Sequence, residues 1–329
     1  MKIFEKKTKH HYVWAYYLRE WSVNDKNIHY ITKNGKIAFD SIRGLGLEKD
    51  FYKMGLLREE DREIITLITK DCNEVLKKLH WNFAEMVFKS QQIFMELSPT
   101  AQEKFGIDLN DIMMSNLFEN YLSEQESYAI GMLNRLKTGD TLILSEDTDY
   151  YELCHFLGHQ LARTNKMKKL IILALRATNG PRHLIDKLDD FYGRNWWFMC
   201  SFLATNLSYD MSLNKNREVF IIENKSNIEF ITSDQPIINI NPQGHKAESV
   251  DYYYPLSPRR ALLIITSGNS YFNPLSINEN DVKMLNTQMS LNSCETIFGT
   301  RKEELIDNKK NFLSRQYIHF AQKYDNNGN

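Results

Sequence analysis

Cysteine is scarce in this chain of 329 residues: the four thiols, Cys72, Cys154, Cys200 and Cys294, lie far apart with no Cys-x-x-Cys pair. That spacing excludes a disulfide framework of the kind that staples small secreted domains, and it offers no zinc knuckle. Glycine (14) and proline (7) are sparse as well, which excludes collagen-like repeats and low-complexity linkers. There is no excess of either charge: 41 Lys+Arg against 42 Asp+Glu leave a net charge of -1. A nucleic-acid partner would therefore need a local basic patch, because the bulk charge points to none. No apolar run approaches the roughly 18 residues of a membrane span. The longest, residues 170–177, is broken by Arg176 and preceded by Lys166, Lys168 and Lys169. The first residues, MKIFEKKTKHHY, are basic but contain no apolar core ahead of a small-residue cleavage site. The expectation is a reduced, soluble, cytoplasmic globular protein without membrane association. Also missing are a Walker loop and the GxGxxG, GxSxG, HExxH and EF-hand patterns.

What is present is a change of period along the chain. Residues 12–51 read as extended, with short β-like runs on either side of Lys33-Asn34-Gly35, a strong hairpin signal. From about Glu59 apolar residues recur at three, four and seven. One long or two consecutive helices should run to Leu97, where Ser98-Pro99 ends them. Further helix is expected over 109–136, over 149–178 with a stop at Asn179-Gly180-Pro181, and through the aromatic stretch 191–202. Short β-branched runs follow at 218–222, 228–232, 236–240 and 260–266. A capping box at Ser276–Glu279 opens a helix through Leu291, and a charged terminal helix covers 302–323. A lone hairpin is marginal in water, so the N-terminal strands should join the C-terminal ones. The fold expected is α+β: a β/loop segment (1–57), a large helical middle (58–212), a small antiparallel sheet (213–270) and helix (271–323) in one interleaved domain, with a disordered tail (324–329).

Several polar residues could carry chemistry. His155 and His159 stand at i and i+4 on one helix face, but without a third ligand they read as ordinary helix residues. If residues 11–19 are a strand, then His11, Val13, Ala15, Tyr17 and Arg19 line one side, pairing a titratable ring with an anion-binding guanidinium. The alternative is a polar anchor for the N-terminus. Glu48-Lys49-Asp50 reads as a charged loop before the anchors Phe51 and Tyr52. Gln160 and Arg163, at i and i+3, form a helix-surface pair suited to a phosphate or carboxylate. Asp234 follows an apolar strand and precedes Pro236, which fits either a turn to its own backbone or a projecting catalytic carboxylate. The run 251–258, rich in tyrosine, should pack a sheet edge, with stacking of nucleobases as a minor alternative.

These segments, in this order, resemble a large family of unknown function named for its His-Tyr-Val-Pro motif (domain of unknown function 4238). The likeness rests on His10-His11-Tyr12-Val13 with Tyr17-Leu18-Arg19, Glu48-Lys49-Asp50-Phe51-Tyr52 and Gln160-Leu161-Ala162-Arg163-Thr164. It continues with Phe230 to Pro236, Tyr254 to Pro258, and Leu285-Asn286. One departure is Trp14, which stands where the family name has proline. The resemblance picks out His11, Arg19, Glu48, Gln160, Arg163, Ser233 and Asp234, and their recurrence together suggests a shared site. The functional expectation built on it is a metal-assisted nuclease, acting on RNA or another anionic substrate, as an effector in bacterial defence against phage. Arg19 and Arg163 would bind phosphate and His11 would move a proton. Glu48 and Asp234 would orient it or hold a divalent ion, Mg or Mn. The alternative is a non-catalytic module for an anionic ligand or a protein, in which the same cluster is structural.

Overall fold

The computed structural model of the protein describes residues 5–241, 250–266, 268 and 272–315. The Asn-Gly hairpin forms as read: β2 (Asn27–Ile31) and β3 (Ile37–Ser41) pair antiparallel, and Gly35 takes the positive φ of +80° that the turn needs. β2 also pairs with β10 (Ile297–Gly299), and β10 with β6 (Thr232–Ser233). The N-terminal hairpin thus shares a four-stranded sheet, in the order β3-β2-β10-β6, with C-terminal residues. The linking strand, Ile297–Gly299, is too short for the sequence to announce.

A second four-stranded sheet, ordered β5-β9-β8-β7, holds β5 (Arg217–Glu223), β9 (Arg260–Thr266), β8 (Tyr252–Ser257) and β7 (Ile238–Asn239). The tyrosine run therefore lies inside a sheet and not at its edge. Its proline is tolerated because β7 reaches only Tyr252 and Tyr253, so no neighbour on that side needs the missing N–H of Pro255. The pleat explains the unbroken apolar character of these strands. Tyr252, Tyr254, Leu256, Leu262 and Ile264 enter one core with α4 (Leu109–Thr138) and α5 (Asp147–Ala162), while Tyr253, Leu263 and Ile265 enter another with α9 (Glu279–Asn292) and α10 (Lys302–Leu313). All three tyrosines are buried, so they offer no platform for bases.

The helical middle begins with α2 (Asp61–Thr69) and α3 (Glu74–Phe105), the latter capped by Asn73 and closed by Gly106 at φ +65°. Proline at 99 does not end α3. It removes one N–H from the helix ladder, but it and Met95 face solvent, where water can satisfy the freed carbonyl. α4 (Leu109–Thr138) closes at Gly139, again left-handed. The single helix expected over 149–178 is two, α5 (Asp147–Ala162) and α6 (Asn165–Arg176), because Thr164 turns extended (φ -77°, ψ 154°) and its hydroxyl caps the Met167 N–H. α7 (Arg182–Arg194) and α8 (Trp196–Leu213) complete the layer. The capping box lies two residues later than read, with Asn278 and Asp281 opening α9 (Glu279–Asn292). α10 covers Lys302–Leu313 and ends at Ser314, short of the expected 323; residues 316–323 of that expected helix and the tail fall outside the described residues.

Residues 15–21 are not extended. α1 (Ala15–Leu18) runs into a 3-10 turn at Arg19–Trp21, so the alternating face imagined for His11 to Arg19 does not exist. The periodicity was hidden because both faces of so short a helix are apolar or aromatic. Tyr17 Oη contacts Thr232 Oγ1 at 2.6 Å and donates to the Pro255 carbonyl, and Trp21 Nε1 donates to the Phe230 carbonyl. Trp14, the departure from the family name, has φ -62°, close to the value a proline ring would impose. Before it, β1 (Lys9–His11) pairs with β4 (Leu47–Lys49).

Candidate functional site

Arg163 sits where α5 ends and is almost wholly buried; it and Gln160 are interior residues, not a surface pair. One terminal nitrogen donates to Glu126 Oε1 of α4 at 2.6 Å and the other to the His11 carbonyl at 2.6 Å. Its own carbonyl accepts the Tyr52 hydroxyl at 2.5 Å. Burial pushes the Glu126 and Glu119 carboxyls up, with Arg163 opposing the shift in both. Three atoms of this neighbourhood are buried without a hydrogen-bond partner: His11 Nε2, Arg163 Nε and Glu119 Oε2. The His11 ring is held neutral, its pKa lowered by burial and by Arg163. Its neighbour His10 is the satisfied one. Its Nδ1 accepts from the Tyr52 N–H at 2.8 Å and its Nε2 donates to the Lys7 carbonyl at 3.1 Å.

The Thr164 hydroxyl, next in the chain, donates to Gln235 Oε1 and so joins this centre to a second one. There Asp234, buried at the end of β6, accepts the Cys294 N–H on Oδ1 (2.9 Å) and the Glu295 N–H on Oδ2 (2.6 Å). It fastens β6 to the turn between α9 and β10. The local turn expected of Asp234 is made by Ser233, whose Oγ accepts the Gln235 N–H. Burial pushes the Asp234 carboxyl up to about 6, against the two amide bonds and nearby Lys166. Lys166 donates to the Asn292 carbonyl at 2.6 Å, and burial pushes its ammonium down to about 8. Lys169 and Lys33 both pair with Glu295.

The five residues expected to converge do so in part. His11 and Arg163 touch. Glu48 lies on β4 opposite His10 but is exposed, and Asp234 is reached through Thr164 and Gln235. Arg19 is elsewhere, its guanidinium exposed over the Tyr16 ring at 5.4 Å. Glu126 and Glu119 belong to the cluster, yet on a long helix their i, i+7 spacing reads as a solvated face. Among the described residues no group of three or more His, Cys, Asp or Glu is placed to hold a metal ion. Two cavities of about 250 Å³ lie apart from the cluster: one beside His155, Glu152 and Tyr128, the other a groove between α3 and α4 lined by Phe83, Met86, Phe118, Tyr121 and Trp197. No helix among the described residues is long and apolar enough to cross a membrane.

His159 is structural and titrates in a way that can be measured. Its Nδ1 donates to the His155 carbonyl (2.9 Å), a pure acceptor, so Nε2 is the lone-pair nitrogen facing Tyr121 Oη (3.2 Å). A second proton would oppose the tyrosine donor, and burial lowers the ring's pKa to about 3. The unfolded state takes up that proton below about 6.5 and the folded state does not, so stability is lost as pH falls from 6.5 towards 3. Relative to His159→Gln, wild type should lose about 1.4 kcal/mol per pH unit across that window. Urea titrations at pH 7, 6 and 5 check it, and a pH-independent difference would refute the assignment.

Comparison with curated proteins gives no match. Comparison with solved structures gives none either. The family described as "Protein of unknown function (DUF4238)" matches residues 9–303, from the first strand to the start of α10 and through every residue of the buried cluster, and the chain belongs to that family.

Proposed function

We propose that the protein is a non-catalytic binding module in which the buried polar cluster is scaffold. The observation that carries this reading is the closure of Arg163 and Asp234. A phosphate-binding arginine needs its planar fork free, and that of Arg163 is taken by Glu126 and the His11 carbonyl. A metal-holding carboxylate needs its oxygens turned to the ion, and both oxygens of Asp234 face backbone amides. Through the Arg163 fork and the Asp234 carboxylate, protein groups tie the N-terminal segment, α4, α5 and the C-terminal strands together at the two positions a phosphate or metal ion would need. The surface suited to binding lies on the α3/α4 hairpin, with its apolar groove.

A metal-assisted nuclease is the second reading, favoured by the spare capacity of His11 Nε2, Arg163 Nε and Glu119 Oε2. Asp234→Ala separates the two. As scaffold, its loss strands two buried amides and should cost about 3 kcal/mol, at roughly 1–3 for each orphaned group. RNA and DNA pools incubated with wild type should stay intact with or without Mg²⁺ or Mn²⁺. Cleavage by wild type, abolished in an Asp234→Ala variant that melts like wild type, would establish the nuclease instead.

A further inference from the structure

Five apolar side chains of α3 point away from the protein. Val75, Leu79, Met86, Ile93 and Leu97 are each 43–55 % exposed, while the buried residues of the helix (His80, Ala84, Val87, Gln91) lie about 100–160° round it and the two other exposed apolar residues, Met95 and Phe105, stand off this line. At 3.6 residues per turn all five fall within about 20° of one line, a stripe about 33 Å long. Its composition is symmetric about Met86: Leu79 and Ile93 lie seven residues to either side, Val75 and Leu97 eleven, and the small polar pair Asn82 and Ser90 four. A stripe that reads alike in both directions is self-complementary under a two-fold axis.

The flanks choose the direction. On one side of the stripe stand Lys78, Glu85, Lys89 and Glu96; on the other, towards the α3/α4 groove, stand the half-buried rings of Phe83 and Phe94. A parallel pair would lay the charged flank of each copy against the aromatic flank of the other. An antiparallel pair crossing at Met86 brings charged flank to charged flank and aromatic to aromatic. In that register Lys78 of one copy lies within about 3 Å, along the axis, of Glu96 of the other, and Lys89 equally near Glu85, each pair occurring twice. Glu85 is also held by Arg62 of its own chain, so the pair of Lys78 and Glu96 is the more specific. We infer that the occupant of this face is a second copy of the chain, packed antiparallel along α3 with Met86 on the two-fold axis. This rests on the reading of the protein as a binding module and names its partner.

Sedimentation of the full chain tests the assembly. Wild type should be a dimer. Met86→Glu, which sets two carboxylates against each other on the axis, should weaken it by about 100-fold or more while the thermal melt is kept. Lys78→Glu should weaken it by about tenfold, and adding Glu96→Lys should restore it. Register is read in a Cys72→Ser background, which removes the partly exposed native thiol. Met86→Cys should cross-link to itself under oxidation. Leu79→Cys should not, and should do so only when combined with Ile93→Cys. A wild type that stays monomeric at every concentration, or a Leu79→Cys variant that cross-links as readily as Met86→Cys, overturns the inference. Neither result touches the Asp234→Ala and nuclease assays, on which the binding-module reading stands.

Discussion

Arg163→Ala is expected to cost the fold about 3 to 5 kcal/mol, the range for removing one partner of a buried ion pair. Glu126 would be left in the interior without its counter-ion, and the His11 carbonyl would lose its donor. The cost should depend on pH. With Arg163 gone, nothing opposes the upward push of burial on Glu126, so the variant's folded state takes up a proton at higher pH than its unfolded state. The variant therefore recovers part of its stability as pH falls through that raised value, and the deficit against wild type is larger at pH 8 than at pH 5. Arg163→Lys should rescue only part, because an ammonium cannot span Glu126 and the His11 carbonyl as the planar fork does. Removing both charges, in Arg163→Met with Glu126→Met, should cost less than Arg163→Ala alone, since no unpaired charge remains. Urea unfolding of the series decides. A wild-type melt for Arg163→Ala would mean that the pair contributes nothing and would return Arg163 to the list of free, ligand-binding groups.

That prediction depends on Glu126, which local sequence signals do not reveal. Two helix stops were legible because Gly139 and the Asn179-Gly180-Pro181 run act on their own neighbours, through φ or a missing N–H, whereas the end of α3 at Gly106 was missed in favour of Ser98-Pro99. The Asn34-Gly35 hairpin was legible for the same reason. Thr164 carried a weaker local signal, since a threonine cap inside an apolar stretch looks like any helical threonine until its hydroxyl turns to Met167. The partners of the buried cluster are another matter. Arg163 meets Glu126 across 37 residues of chain and the His11 carbonyl across 152, and Asp234 meets amides 60 and 61 residues away. No periodicity encodes such pairings. Family resemblance marked Arg163, Asp234 and His11 because they recur together, but recurrence does not distinguish a closed network from an open site. Arg19 shows that limit: it was marked with the others, yet a one-turn helix carries its side chain to the surface.

Gly158→Ala and Gly131→Ala, the same chemical change in two helices, are expected to shift stability in opposite directions. α5 and α8 cross at Gly158, the most extensive helix contact in the fold. A Cβ there would lie 2.5 Å from the Ala204 carbonyl oxygen and closer still to Ser208 Oγ. Ser208 cannot swing away freely, because its hydroxyl already donates to that same carbonyl at 2.6 Å. Nor can the carbonyl yield, being part of the α8 ladder. The helices must part, which opens the packing around Cys154, Phe156 and Leu157 on one side and Trp197 and Cys200 on the other. The expected loss is about 3 kcal/mol, the upper end of overpacking costs. Gly131 is the control. It is exposed in the middle of α4, and a Cβ there meets no atom within 4 Å. Alanine removes backbone freedom from the unfolded chain at no steric expense and should stabilise by about 0.5 to 1 kcal/mol. Denaturant midpoints for the two variants beside wild type give both signs in one experiment. Equal and small effects would mean that α5 and α8 lie farther apart than described, and with them Arg163, whose position depends on where α5 ends.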